Sequence, residues 1–382
     1  MMNRPIRIGM VGGGAGAFIG NVHRIALRLD GQYRLLAAAL SSNPQRAADS
    51  ARELFIDPER SYSDYREMAR IEALREDGIE AVAIVTPNHL HAPVATAFLE
   101  AGIHVICDKP LCLSLAQAHE LQQVAERSNR LFMLTHNYSA YPLIRHAREL
   151  VNSGELGELR TVHVEYAQGW LTEALPDEGW RGDPAMAGAG GALGDIATHA
   201  FQLVRFVSGL RVESLAAELT SFVANRKLDD YVQAMLRFQG GARGVLWASQ
   251  VAAGMENALQ IRITGSRASI SFNQENPNQL WFTRHGQPAQ LLTRGGPGMG
   301  DTGSWGVRVP AGHSEGYLEA FALLYRDFAS QIRSFPDLES LPPEALLTPT
   351  LADGIEGMAF MDAVLRSHEL DSRWVSFSRP QI

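Results

Sequence analysis

Hydrophobic positions divide this chain into two regimes. Over the first third, short apolar runs alternate with segments of helical spacing. Ile6-Arg7-Ile8-Gly9-Met10-Val11, Tyr33 to Leu40, Ala81 to Val85 and His104 to Cys107 are among the runs, bounded as buried strands are. Pro44 to Phe55, Tyr65 to Arg75, His91 to Ala101 and Ser114 to Ser128 read as the intervening helices. Alternation at this pitch predicts βαβ units and a parallel sheet of six strands within about 135 residues, the size of one doubly wound domain.

Beyond that point the period shortens to two. Thr161 to Tyr166, Val212 to Val223, Tyr231 to Phe238, Gly244 to Ser249, Ala258 to Thr264, Ala268 to Phe272 and Leu280 to Phe282 alternate, with turn signals such as Gly240-Gly241 and Gly265-Ser266 between them. One interruption, Gly188 to Val207, reads as a helix with a glycine-rich lead-in, and helices are expected over Ser314 to Phe335 and Thr350 to Ser367. The fold class predicted is α/β. Residues 1–136 form a Rossmann doubly wound parallel sheet, and residues 137–382 an α+β domain on a large, open, mostly antiparallel sheet. The glycine- and proline-rich stretch Arg294 to Pro310 is a candidate lid.

Composition narrows the class. In 382 residues, 34 basic and 42 acidic side chains leave a net charge of −8 with no basic block, which disfavours nucleic acid or an anionic membrane as partner. No apolar run approaches the roughly 18 residues of a membrane span. The first apolar run begins at Ile6, so no signal peptide is expected. Cys107 and Cys112 fit neither a disulfide framework nor a zinc spacing. A cytoplasmic protein without a metal is the expectation.

Three stretches carry candidate chemistry. Gly12-Gly13-Gly14-Ala15-Gly16 follows the first strand at once and leads into a helix. Such a turn cradles a dinucleotide pyrophosphate: backbone N–H groups face the phosphates, and missing Cβ atoms allow close approach. Lys109 stands where a buried parallel strand ends, the rim at which open α/β sheets bind ligands. Pro110 restricts its backbone to extended conformations. Asp195 and His199 are four apart, which on a helix places them on one face amid Ile196, Ala197, Ala200, Phe201 and Leu203. A buried carboxylate–imidazole pair suits a general base with its orienting partner. Gly188, Gly190 and Gly191 ahead of it would admit a bulky ligand to the backbone.

Read in order, the glycine loop, Thr86-Pro87-Asn88 with His91, Asp108-Lys109-Pro110, and Gly190-Gly191-Ala192-Leu193-Gly194-Asp195 with His199 resemble the glucose-fructose oxidoreductase, inositol 2-dehydrogenase and rhizopine-catabolism (Gfo/Idh/MocA) family. The resemblance covers nearly the whole chain. It implies a nicotinamide-dependent oxidoreductase moving hydride between NAD(P) and a secondary hydroxyl or ketone of a sugar, cyclitol or glycoside. Lys109, Asp195 and His199 are then the catalytic residues. The cofactor would meet Gly12, Gly14, Phe18, Ile19, Ser41, Arg46, Thr86, Pro87, Asn88, His91, Asp108, Lys109, Asn137, Trp180 and Arg181. Asp108 replaces the glutamate many members carry. The family's third glycine stands three residues before a histidine, which Gly20 and His23 satisfy and Ala17 does not. The turn is therefore read as enlarged by three residues, with Ala17-Phe18-Ile19 bulging beside the cofactor. A homodimer or homotetramer through the C-terminal sheet is also implied.

The end of the second strand reads Leu40-Ser41-Ser42-Asn43-Pro44-Gln45-Arg46, without the carboxylate that binds the ribose of NAD, and tilts the expectation slightly to NADP. Two alternatives stay open. One is a sugar-transforming enzyme that holds and internally recycles its NAD(P); the other is a non-catalytic nicotinamide-sensing protein.

Overall fold

The computed structural model describes residues 4–174 and 179–377. The chain forms two compact units, one comprising the chain up to Thr135 with Phe321–Ile355, the other His136–Ala320 with the chain from Glu356.

In the first unit, β1 (Ile6–Gly12), β2 (Tyr33–Ala39), β3 (Ala81–Val85), β4 (His104–Cys107) and β5 (Phe132–Leu134) make a parallel sheet in the order β2-β1-β3-β4-β5. Among the described residues it has five strands and not the expected six. Between β2 and β3 the chain makes two helices, Pro44–Glu53 and Tyr65–Leu74, and touches the sheet only through an isolated Ala38–Ser61 bridge. Prolines and polar helical surface there leave no apolar run to make a strand. β3 and β4 are buried at every position, as strands covered on both faces must be, which is why they read as uninterrupted apolar runs. The strand order reverses between β1 and β3, where Gly12 pairs with Val85. Ligands of doubly wound sheets bind at such a switch point, outside the carboxyl ends of the strands.

Phe321–Ile355 completes this unit. Tyr325 packs edge-on to Tyr33 and His23, with ring centroids 5.4 and 5.8 Å apart, and Arg333 Nη1 donates to Gln32 Oε1 at 2.6 Å. On the far edge, Leu134 N donates to Pro349 O at 2.9 Å and Met133 bridges Thr350, which covers part of the exposed edge of β5.

The second unit is built on nine strands: β6 (Leu159–Ala167), β7 (Val212–Thr220), β8 (Tyr231–Phe238), β9 (Arg243–Ser249), β10 (Ala258–Gly265), β11 (Ala268–Asn273), β12 (Gln279–Arg284), β13 (Gln290–Thr293) and β14 (Val375–Ser376). Their order is β13-β12-β11-β10-β6-β9-β8-β7-β14, antiparallel throughout except for β6 against β9. β8 shows the reason for the period of two: Val232, Ala234, Leu236 and Phe238 are buried, while Gln233, Met235 and Arg237 face outward. Helix Thr198–Ser208 packs on β6, β9 and β10, and its Phe201 stacks on Phe360 at 4.3 Å. Short β13 and β14 extend the sheet beyond the runs legible in the sequence.

The stretch Arg294 to Pro310 is not a free lid. The buried Arg294 guanidinium donates to Glu315 Oε1 at 2.7 Å, Asn278 Oδ1 at 2.8 Å and Val309 O at 2.8 Å. Glu315 Oε1 also accepts from Arg308 N and Val309 N at 2.8 and 3.0 Å. Opening the segment would strand a buried charge on each side, at a cost of about 3–5 kcal/mol. Among the described residues, no helix is long and apolar enough to cross a membrane.

Candidate active site

The first unit presents a cradle made of backbone. Gly12, the last residue of β1, has φ of 78°, and a Cβ there would stand 2.7 Å from Val85 O. A Cβ on Gly14 would stand 2.8 Å from Leu40 O, and one on Gly20 2.5 Å from Gly13 Cα. The loop therefore lies directly on the ends of β2 and β3, and the first helix lies directly on the loop. That is the close helix-to-turn packing served by the third glycine of a dinucleotide fingerprint, and Gly20 performs it. Ala15 N donates to Ser50 Oγ at 3.2 Å and Arg24 Nη1 to Gly13 O at 2.5 Å, which hold the turn from outside.

Phe18 and Ile19 do not bulge. They open helix Phe18–Leu29, whose cap residue Ala17 offers no side-chain hydrogen bond and whose first turn has no acidic residue. The extra length is absorbed by the turn and one early helical turn, because Ala17 N closes onto Gly14 O at 3.1 Å. The N–H groups at this helix start are left for a ligand, so the cradle fits a pyrophosphate. His23 is fully buried, hydrogen-bonded through Nδ1 to Tyr325 Oη at 2.7 Å, and burial pushes its pKa down to about 4. It is a neutral core residue.

Along the same sheet edge, Thr86, Asp108 and Thr135 follow β3, β4 and β5. Thr86 Oγ1 is buried without a hydrogen-bond partner, an orphan that a bound ligand would satisfy. Asn88 is buried beside Pro87, in a short turn after the strand. His91 is buried between two carbonyls, Nδ1 2.6 Å from Pro110 O and Nε2 2.9 Å from Thr86 O, and as a neutral ring donates to one of them while filling the space between the ends of β3 and β4. Burial holds its pKa below the usual imidazole value, against the pull of Asp108 and the two carbonyls. Asp108 Oδ1 accepts from Lys109 N at 2.9 Å and from Thr135 Oγ1 at 2.7 Å, which fixes the turn carrying half-buried Lys109. The Lys109–Pro110 peptide is cis. At the end of β2, Ser41 is half-buried with Oγ accepting from Asn43 N at 3.2 Å, and Arg46 is exposed in the first turn of helix Pro44–Glu53.

The second unit supplies side-chain chemistry. Asp195 lies in a π-turn, Leu193–Ala197, and His199 one residue into the α-helix that follows. This corrects the regular α-helix expected over both residues. Thr198 Oγ1 donates to Gly194 O at 2.9 Å within the widened turn, a device frequent at functional sites. Asp195 Oδ2 accepts from Gln250 Nε2 at 2.8 Å. His199 is buried among rings: Tyr138 at 4.8 Å, His136 at 5.1 Å and Tyr166 at 6.2 Å, centroid to centroid. Tyr138 Oη and Tyr166 Oη are 2.5 Å apart, and Tyr166 Oη reaches Asn257 Oδ1 at 2.8 Å.

Two of the glycines ahead of this helix, Gly190 and Gly191, bring the chain close to its own neighbours. A Cβ on Gly190 would stand 2.9 Å from Leu193 Cβ, and one on Gly191 would meet the backbone of Asp229. The Asp229 carboxylate accepts from Gly191 N at 2.7 Å and Leu193 N at 2.8 Å, capping the helix. Burial raises its pKa to about 6, against those two bonds.

Other candidates are scattered more widely. Asn137 is buried with Nδ2 unpartnered. Arg181 stacks on the half-buried ring of Trp180 at 4.5 Å, in the turn Gly179–Gly182. Among other aromatic side chains of the second unit, Trp170 is 47% exposed, and Tyr141 is core, donating to Gln274 Oε1 at 3.1 Å. Sequence reasoning passed over His136, Asp229 and Gln250. His136 had a usable signal, since it follows β5 as Lys109 follows β4. Asp229 and Gln250 had none, because their partners lie tens of residues away.

Residues 6–136 match the model described as "Oxidoreductase family, NAD-binding Rossmann fold", and residues 144–271 the "GFO/IDH/MocA C-terminal domain". An oxidoreductase structure from Sinorhizobium meliloti is 49% identical, with TM-score 0.90 over 98% of this chain and 100% of that one. An inositol dehydrogenase homologue from Azotobacter vinelandii, complexed with NADH and myo-inositol, is 37% identical, with TM-score 0.92 over 98% of each chain. Levoglucosan dehydrogenase from Pseudarthrobacter phenanthrenivorans is 29% identical over 99% of both chains.

Proposed function

The chain belongs to the GFO/IDH/MocA family of NAD-binding oxidoreductases, and on that premise we propose that it oxidises a secondary hydroxyl of a sugar, cyclitol or glycoside, or reduces the corresponding ketone. The observation that carries this reading is the buried cluster around His199, an imidazole against two tyrosine rings, with Gln250 orienting the carboxylate of Asp195 four residues earlier in the chain. Its aromatic faces and hydroxyls suit a polyol. The inositol and levoglucosan dehydrogenase relatives point to the same substrate class.

Bound nicotinamide supplies the hydride acceptor or donor. The residues that would hold it are Gly12, Gly14 and the N–H groups of the first helix, with Thr86 and Asn88 along the rim; Asn137, Trp180 and Arg181 are assigned to the nicotinamide end. His199 takes the substrate's hydroxyl proton, and Asp195 orients the imidazole or binds a neighbouring hydroxyl. The Lys109 ammonium stabilises negative charge developing on the substrate oxygen. Asp108, anchored by Thr135, keeps Lys109 at the strand end.

For the cofactor, we infer use of NADP at least comparable to NAD. Ser41, Ser42 and Arg46 stand where an acid would select the ribose hydroxyl. The NADH in the inositol dehydrogenase homologue weighs the other way. The test of the main reading is a panel of inositols, aldoses, polyols and glycosides, assayed by reduction of either cofactor. Turnover of at least one cyclic polyol or sugar is expected. A panel without turnover, with the purified protein retaining reduced nicotinamide, would favour an internally recycled cofactor instead.

A further inference from the structure

We infer that His136 is the positioning partner of His199, and that the two imidazoles share one proton across their Nδ1 atoms. This rests on the assignment of His199 as base. His136 Nδ1 and His199 Nδ1 are 3.4 Å apart, with ring planes at 85° and both residues buried to 2% and 6% exposure. One hydrogen can occupy that contact, so one Nδ1 donates and the other accepts. Two buried imidazolium ions at this distance would repel in a medium that screens charge poorly, so the pair holds a single positive charge at most.

That restriction selects a tautomer. When His199 takes a proton, both its nitrogens carry hydrogen, and its Nδ1–H needs an acceptor. His136 provides one only as the Nε2–H tautomer, with Nδ1 unprotonated. The same arrangement at rest places the hydrogen on His199 Nδ1, so the lone pair that acts as base is the one on Nε2, the nitrogen turned away from His136. In the step itself the substrate O–H bond breaks, the proton joins His199 Nε2, and the His199 Nδ1–H hydrogen bond to His136 becomes charge-assisted. Ionisable side chains whose rings face His199 include Tyr138 from the turn after β5 and Tyr166 from β6, and Asp195 stands four residues before it in the π-turn. Burial holds the Tyr166 phenol well above its ordinary pKa, so it contributes no competing titration in the neutral range.

The experiment is a pH titration of the full chain carrying 15N-labelled histidine, without substrate, read from the imidazole 15N shifts that report tautomer as well as charge. The wild-type protein is expected to show His199 as Nδ1–H at neutral pH. It should also show His136 and His199 titrating in two coupled steps. His136→Leu should collapse them to one step and lower the His199 midpoint by about one pH unit, because its cation loses an acceptor. His136→Asn, whose side-chain oxygen can stand near the lost Nδ1, should restore most of that shift. An Nε2–H tautomer for His199 in the wild type overturns the inference even if neither variant folds. So does a His199 midpoint unchanged in both folded variants. If His199→Ala leaves turnover intact across the substrate panel, the base assignment fails by a route separate from the titration.

Discussion

Two glycine-led turns open helices in this protein, and they are built for opposite purposes. After β1, glycines bring the chain against neighbouring strands, and the helix start carries no side-chain cap, so its N–H groups are left for a ligand. Ahead of His199, glycines also bring the chain close, but the Asp229 carboxylate already occupies the N–H groups. The first turn makes a site from its own backbone. The second fills its backbone site from within and offers side chains instead. A glycine run before a helix therefore states that the backbone is tightly packed; whether it binds an anion depends on whether another part of the chain caps it.

The strongest test of this contrast is removal of side chains. Lys109→Ala and His199→Ala should each lower turnover by about 10²–10⁴, the range for loss of a general base or an electrostatic contact. Cofactor affinity, measured by nicotinamide fluorescence, should be nearly unchanged. Near-normal turnover in either variant would remove that residue from the chemistry.

A converse test loads the backbone turn. Gly20→Ala places a Cβ 2.5 Å from Gly13 Cα and should weaken cofactor binding markedly, with about 1–3 kcal/mol lost in stability. Equilibrium denaturation and cofactor titration together would show this. If stability falls but affinity holds, the close packing of helix on loop is structural only.

Asp229 distinguishes the capped turn by pH. Its pKa is raised from 3.8 to about 6 in the folded chain, so the folded state binds its proton more tightly than the unfolded state does. Its contribution to stability is therefore greatest below about pH 4, declines as pH rises and is lost above about pH 6. Asp229→Asn should flatten the stability profile over that window. An unchanged slope would show that the carboxylate does not titrate there.

The smallest effect is expected at the end of β2. Arg46→Ala should raise the KM for NADP about three- to tenfold and leave that for NAD nearly constant, as loss of one exposed phosphate contact would. A wild-type protein that strongly prefers NAD would remove the case for a phosphate site there.

Much of this was legible in the chain itself. Buried parallel strands such as Ala81–Val85 are continuous apolar runs, and a sheet face such as β8 alternates, because burial dictates both patterns locally. The places of the glycine loop after β1 and of Lys109 at its strand end were readable for the same reason, since each is a short contiguous stretch whose residue types state a local requirement; the roles of Lys109, Asp195 and His199 remain proposals. Tertiary structure decided what depended on distant partners. Phe321–Ile355 joins the first sheet because Tyr325 and Thr350 find surfaces on β2 and β5 that no period announces. The Arg294–Glu315 pair turned an apparent lid into a tied segment. Gln250, Asp229 and His136 reach the helix of Asp195 and His199 only once the sheet has formed, since hydrogen bonds select partners by distance in space and leave no spacing in the sequence.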